Sequence, residues 1–190
     1  MMGEHSWTNT ELDLMRKQGD LPGDTLLQTL LESGNTHQFA SLMQLEMNQD
    51  ELPQDLDPKL NTFAHSLHQL PEWADPKKIA LAEDFFQTYQ IYVYSALLFA
   101  SLPYCYAAGD GAKVLYHSQR IQNQTGKRLS ETGQYIMDFS EPGAFSPSGK
   151  AFKSILKVRF IHAAVRNRLL SEGNWNASWG VPVNMEDMAG

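Results

Sequence analysis

His162 lies mid-helix in Lys157-Val158-Arg159-Phe160-Ile161-His162-Ala163-Ala164-Val165-Arg166, an imidazole in apolar company with a guanidinium three residues before it and another four after. Positions 155, 158, 159, 162, 165, 166 and 169 share one broad face, because residues three and four apart are neighbours on a helix. That face carries Ile155, Val158, Arg159, His162, Val165, Arg166 and Leu169. A neutral imidazole is a good ligand for haem iron when its second nitrogen is oriented by a hydrogen bond. Guanidiniums on such a face need carboxylates, and haem propionates or protein Asp and Glu side chains can each supply them. On these residues alone, the plainer reading of His162 as a packed, hydrogen-bonded histidine also stands.

A second constellation is Arg128-Leu129-Ser130-Glu131-Thr132. Arg128, Glu131 and Thr132 fall at i, i+3 and i+4, so one helix face presents a cation, a carboxylate and a hydroxyl. These groups can hydrogen-bond dioxygen or move a proton beside a cofactor. They can equally be a helix start with an ordinary surface pair worth a few tenths of a kcal/mol, roughly. His65 and His68 are three apart and can share a helix face, but no His-Glu-x-x-His pattern surrounds them, which favours a solvated or capping role over a metal pair. His37 and His117 stand alone. Asn176-Ala177-Ser178 matches a glycosylation acceptor, which a cytoplasmic chain does not present for modification. Gly109-Asp110-Gly111 lacks the following lysine and hydroxyl of a phosphate loop and reads as a turn.

Helices must position these groups. Periodicity of 3.6 residues predicts one over Thr25 to Ser33, with Asp24 as N-cap and Gly34 past its end. A second runs from Thr36 through Met47. Asp57-Pro58 and Asp75-Pro76 repeat one start signal, an aspartate cap followed by proline at the first helical position. They open helices of roughly Pro58 to Leu70 and Pro76 to Ser101. Pro103 is expected to end or kink the long one. Ala108-Gly109-Asp110-Gly111 is a break, Ala112 to Asn123 resumes, and Lys127 to Phe139 follows. Ser146-Pro147 opens the last helix, which Gly173 stops. Asn174 to Gly190 reads as an irregular tail that packs onto something, with Glu186-Asp187-Met188 resembling a helix start. No run alternates as a strand does, so the class is all-α.

With 190 residues, 42% hydrophobic and 19% charged, the chain has enough apolar content for one domain with a real core. A net charge of −7 excludes non-specific binding to nucleic acid. The lone Cys105 excludes a disulfide framework and a multi-cysteine zinc site, and is expected to pack as a small apolar residue. The first 18 residues read as a polar segment without the apolar core of a secretory signal, and 19–190 as the helical domain. Phe85 to Gly109 has no charged residue, yet its five tyrosines, its glutamines and Pro103 favour a buried central helix over a membrane span. A cytoplasmic protein of undetermined oligomeric state is expected.

The motif Arg159-x-x-His162-Ala-Ala-Val-Arg166, then Trp175, then Trp179-Gly180-x-Pro182-x-Asn184-x-Glu186-Asp187-Met188, resembles the signature of the DUF2236 family, the MpaB-type and rubber-oxygenase catalytic domain of latex clearing protein. Ala100-Ser101-Leu102-Pro103-Tyr104 and Arg128-Leu-Ser-Glu131-Thr132 agree with it, and the similarity spans Gly19 to Gly190. The resemblance implies a globin-like helical fold holding haem b, with His162 as proximal iron ligand and Arg159 as its supporting neighbour. Arg128 and Thr132 match distal-side residues, and Arg166 completes the cofactor-binding set. Characterised members use dioxygen to cleave carbon–carbon double bonds of isoprenoid chains, so dioxygen and a small apolar substrate are the implied partners. Rubber-cleaving members carry lysine where this chain has Glu131, which argues against rubber and leaves a carboxylate able to act as acid or base. The family domain also extends beyond Gly190, so the domain is expected to be C-terminally incomplete. Two other readings are a haem-binding protein without catalysis and a haem-free helical interaction module.

Overall fold

A computed structural model describes residues 7–107, 109–117 and 120–189, with the backbone alone at 106, 110, 120–125, 128, 188 and 189. Helices α1 (Asn9–Met15), α2 (Leu21–Ser33), α3 (Thr36–Gln44), α4 (Pro58–Ser66) and α5 (Pro76–Ala96) are followed by a π-helical turn, Leu97–Ser101. Then come α6 (Leu102–Ala107), α7 (Gly109–His117), α8 (Arg120–Ser140), α9 (Ala151–Ser171), a 3₁₀ turn at Ala177–Trp179 and α10 (Met185–Ala189). No strand occurs among the described residues, and the all-α class holds.

The two Asp-Pro starts form as their chemistry dictates: the Asp57 carboxylate accepts the Lys59 N–H at 2.8 Å and that of Asp75 accepts the Lys77 N–H at 2.9 Å. Gly34 closes α2 in the left-handed region at φ 71°. Helix α2 starts four residues before the expected Thr25. Asp20 is its cap, accepting from Gly23 N–H at 3.3 Å, with Pro22 in the first turn where the missing N–H costs nothing. This frees the Asp24 side chain for another partner.

Helix α9 starts at Ala151 rather than at Ser146-Pro147, and its own N-cap, Lys150, makes no side-chain cap. The cap comes from 104 residues away: the Asn48 Oδ1 accepts the Phe152 N–H at 3.0 Å. The Asn48 amide donates to the Ala144 carbonyl at 2.9 Å and the Ser146 carbonyl at 2.6 Å, and its backbone N–H donates to Gly149 O at 2.7 Å. Buried Asn48 thus satisfies the orphaned groups of both the loop and the helix end. Gly149 is required here, since a Cβ would lie 2.1 Å from the Ala144 carbonyl oxygen. One turn on, buried Lys153 donates to the Asp50 carbonyl at 3.0 Å, and desolvation holds its pKa below the ordinary lysine value.

The core joins α2, α3, α4 and α9 through Leu26, Leu30, Leu42, Leu60, Ala64, Leu156 and Phe160. Phe160 takes Phe39 and Phe63 edge-on, each with centroids 6.1 Å apart. This core fixes one side of α9 and leaves the adjoining side for the candidate site.

Two expectations fail. Pro103 neither ends the helix nor kinks it at its own position. Instead the chain widens into the π-helical turn at Leu97–Ser101, which accommodates the proline ring and its missing N–H one turn later. Phe85 to Gly109 is also not a buried central helix. On α5 only Phe86 is buried, while Phe85, Tyr89, Ile91, Tyr92, Phe99 and Tyr104 are exposed. The helix has a packed side against α8 and an outward apolar side with no element over it among the described residues. Cys105 is exposed for the same reason. Among the described residues no helix is long and apolar enough to cross a membrane.

Candidate functional site around His162

On α9 the core-facing row is Leu156, Phe160 and Ala163, all buried. His162 belongs to the next row round the helix, with Ile155, Val158 and Val165, all half-buried. Arg159 and Arg166 lie on the boundary between the two rows. That half-buried row carries the imidazole on an apolar wall, with the two guanidiniums to one side.

Both guanidiniums meet protein carboxylates, one of the two alternatives the sequence left open. Arg159 clamps Asp20 in bidentate fashion, Nε to Oδ2 at 2.7 Å and Nη2 to Oδ1 at 2.6 Å, while lying 4.6 Å above the Phe63 ring. Arg166, 2% exposed, donates through Nε to both Asp24 oxygens at 2.8 and 3.0 Å and through Nη1 to the Val183 carbonyl. Its Nη2 is buried without a hydrogen-bond partner among the described residues.

These contacts explain the chain of small matches after α9. Arg166 holds the Val183 carbonyl while Val183 itself sits at φ 50°, an unfavourable conformation for a β-branched residue, costing on the order of 1–3 kcal/mol. Buried Asn184 caps α10 reciprocally: its Oδ1 accepts the Asp187 N–H at 3.0 Å and the Asp187 carboxylate accepts the Asn184 N–H at 3.2 Å. Glu186 pairs with Arg16 at 2.6 Å, and the Val181 and Met185 N–H groups donate to the carbonyls of Arg16 and Gln18. The tail is thus a strap tied to the segment before α2, and that segment and the first turn of α2 are tied to α9 through Asp20 and Asp24. Trp175 closes the strap by donating its indole N–H to Gly180 O at 2.7 Å. His117 meets the Trp175 ring edge-on and the Trp179 ring at a tilt, with centroids 5.9 and 5.6 Å away.

Asp20 carries a pH dependence. Burial raises its pKa, but the Arg159 hydrogen bonds and charge, the Gly23 N–H and the Arg166 charge outweigh burial and hold it below the ordinary aspartate value. A depressed carboxylate stabilises the fold above the unfolded pKa of about 3.9, and loses that contribution as pH falls through the folded value. Urea titrations between pH 7 and 3 are therefore expected to show an acid loss of stability that is smaller in Asp20→Asn, whose stability at pH 7 is already lowered.

Of the second constellation, the Arg128 side chain lies outside the described residues. Glu131 is exposed, with Lys127 Nζ 3.8 Å away, and Thr132 is half-buried. Asp138, near the end of α8, accepts from Ser154 on α9, which pins the two helices together at their joint. Of the remaining histidines, His68 donates from Nδ1 to the Ala64 carbonyl and caps the end of α4, its ring 6.2 Å from His65. His37 pairs with Asp55 at 2.9 Å on the surface. Among the described residues no three His, Cys, Asp or Glu side chains gather as a metal site.

Sequence reasoning missed Asp20, Asp24 and Asn48 as positioning residues. The Asp20-Leu-Pro-Gly-Asp24 spacing held the signal, since proline two residues after an aspartate marks the cap and releases the second aspartate.

The donor set fits a metalloporphyrin better than a bare ion. A porphyrin brings its own equatorial nitrogens and asks the protein for one axial ligand and an apolar wall, which is what the His162 row offers. The unspent Arg166 Nη2 donor suits a carboxylate on such a group.

A family model described as ER-bound oxygenase mpaB/B'/rubber oxygenase, catalytic domain, matches residues 88–190. The rubber oxygenase of Streptomyces sp. (strain K30) is 25% identical over 173 residues, covering 89% of this chain and 42% of that protein. The solved structure of latex clearing protein in the closed state superposes with a TM-score of 0.67 at 25% identity, covering 89% of this chain and 46% of that one. The chain thus spans less than half the length of both relatives.

Proposed function

The chain belongs to the mpaB and rubber oxygenase catalytic-domain family, and from that premise we propose that it is the haem b-holding part of an oxygenase. In this reading it uses dioxygen to cleave a carbon–carbon double bond in an apolar, isoprenoid-type substrate. The observation that carries the proposal is His162, a single imidazole on a half-buried apolar row of α9.

Bound haem would supply the activation of dioxygen. His162 would be the residue that holds its iron. Arg159 would act on His162 indirectly: clamped to Asp20 and lying over the Phe63 ring, it would fix the rotation of α9 and hence the direction of the imidazole. Arg166 would orient the same helix turn and offer its remaining donor to a propionate. Ile155, Val158 and Val165 would pack against the porphyrin beside His162 and keep water from that side of it. Arg128, Glu131 and Thr132 on α8 would form the opposite wall. From the Asp138–Ser154 joint, seven residues back along α8 and eight forward along α9 bring Glu131 and His162 to comparable heights. The Thr132 hydroxyl would donate a hydrogen bond to dioxygen, and the Glu131 carboxylate would be the group on that wall able to accept or return a proton.

Incubation of the haem-loaded chain with squalene under ¹⁸O₂ tests the proposal. Carbonyl products carrying ¹⁸O are expected, and their loss in Thr132→Val with haem content unchanged. Unlabelled products, or none from a fully haem-loaded sample, would leave a haem-binding protein without catalysis.

A further inference from the structure

On α8 the Asp138 side chain faces α9, because it accepts from Ser154. Counted round α8 from Asp138 at about 100° per residue, Glu131, Tyr135 and Thr132 fall at about 20°, 60° and 120°. Counted round α9 from Ser154, Val158, His162 and Ile155 fall at about 40°, 80° and 100°. The chain runs into the Asp138–Ser154 joint along α8 and out of it along α9, so both sets open on the same side of the helix pair. Tyr135 is thus in the middle of the α8 wall, between Glu131 and Thr132 in direction and nearer the joint than either. By helical rise it lies about 4.5 Å from the joint, against about 9 Å for Thr132 and about 12 Å for His162. Long side chains on helices lean toward the N-terminus, which tips Tyr135 away from the joint and His162 toward it, so the two converge.

Tyr135 is half-buried, its ring centroid 5.2 Å from that of Phe139 one turn nearer the joint. Its hydroxyl has no hydrogen-bond partner among the described residues. Burial raises its pKa above the ordinary tyrosine value, so the phenol stays protonated and is a standing donor. Such a donor on an apolar wall sorts ligands. A plain hydrocarbon that displaces water leaves it buried and unpaired, whereas a ligand oxygen pairs with it.

We propose, resting on the oxygenase reading above, that Tyr135 is a specificity-determining residue whose hydroxyl donates a hydrogen bond to an oxygen of the substrate. The substrate is then an isoprenoid alcohol or carbonyl compound in preference to a plain hydrocarbon, which still binds but more weakly. Thr132 serves dioxygen near the height of the imidazole, and Tyr135, nearly one turn deeper, meets a neighbouring part of the substrate chain.

The test is a pair of ligands that differ by one oxygen: farnesol, and the same triene chain with hydrogen in place of the hydroxyl. Their dissociation constants are measured under argon, where no turnover occurs, from the perturbation of the Soret band of the haem-loaded chain. The native protein is expected to bind farnesol about 10-fold or more tighter than the hydrocarbon. In Tyr135→Phe the preference should vanish, with farnesol weakened and the hydrocarbon bound as well or better. Melting temperature and haem content should stay unchanged, because the phenol has no partner to lose. Equal native affinities, no binding of either ligand, or a preference that survives in Tyr135→Phe would each overturn the proposal and leave the oxygenase reading standing. A chain that takes up no haem would overturn both.

Discussion

Arg166→Ala is expected to lower the unfolding free energy by about 3–5 kcal/mol, the cost of breaking a buried ion pair by removing one partner. Three losses add. The Asp24 carboxylate loses its cation, the Val183 carbonyl loses its donor, and a side chain 2% exposed leaves a void beside α9. Asp24 is 35% exposed, so its own part is screened and the expectation lies toward the lower end of the range. Arg166→Lys should recover little, because an ammonium cannot reach Asp24 and Val183 as a planar fork does. Urea unfolding at pH 7 gives the number. Tryptophan emission adds a local readout: Trp175 and Trp179 belong to the strap, and their emission should shift red before the helical signal is lost. Loss of stability without that shift would mean that Arg166 does not hold the strap.

The strap shows how far the sequence could be read. Several locally decided ends agree: Asp57 and Asp75 cap the helices they precede, Gly34 ends α2, and Met185–Ala189 forms the helix that Glu186-Asp187-Met188 announced, whereas Gly109-Asp110-Gly111, read as a turn, forms the first turn of α7. Other departures occur where a distant residue takes part. Helix α9 starts late because Asn48 caps it from across the fold; α2 starts early through its local Asp20 cap and Pro22, but the Arg159 that Asp20 faces lies far away in sequence. No window of neighbouring residues contains those pairings. Phe85 to Gly109 was misjudged for a different reason. Composition reports that a segment is apolar, not what covers it, and here the outward side of α5 is bare. The candidate site was legible as a motif on one helix. Its carboxylate partners were not, since the same two arginines would suit propionates or aspartates, and only the fold brings Asp20 and Asp24 to them.

His162→Ala is expected to have the second large effect, on cofactor retention and not on folding. The imidazole is half-buried, outside the core row of Leu156, Phe160 and Ala163, so its removal should leave the unfolding free energy within about 1 kcal/mol of native. Changes merely around a metal ligand commonly cost 10–100-fold in affinity. Loss of the ligand itself should therefore weaken haem retention by about 100-fold or more, with added imidazole restoring part of it. Arg159→Met should cost less and act by releasing α9 from Asp20. It should broaden the spectrum, and Arg159→Lys should not restore it.

The decisive measurement is the absorbance spectrum of the haem-supplemented native chain and of His162→Ala, before and after dithionite and carbon monoxide. A Soret band that shifts on reduction, responds to carbon monoxide, and is lost in the variant but returns with imidazole is the predicted result. An unchanged spectrum in His162→Ala would contradict the ligand assignment. A featureless native spectrum would contradict the haem site itself and leave the chain a haem-free helical interaction module.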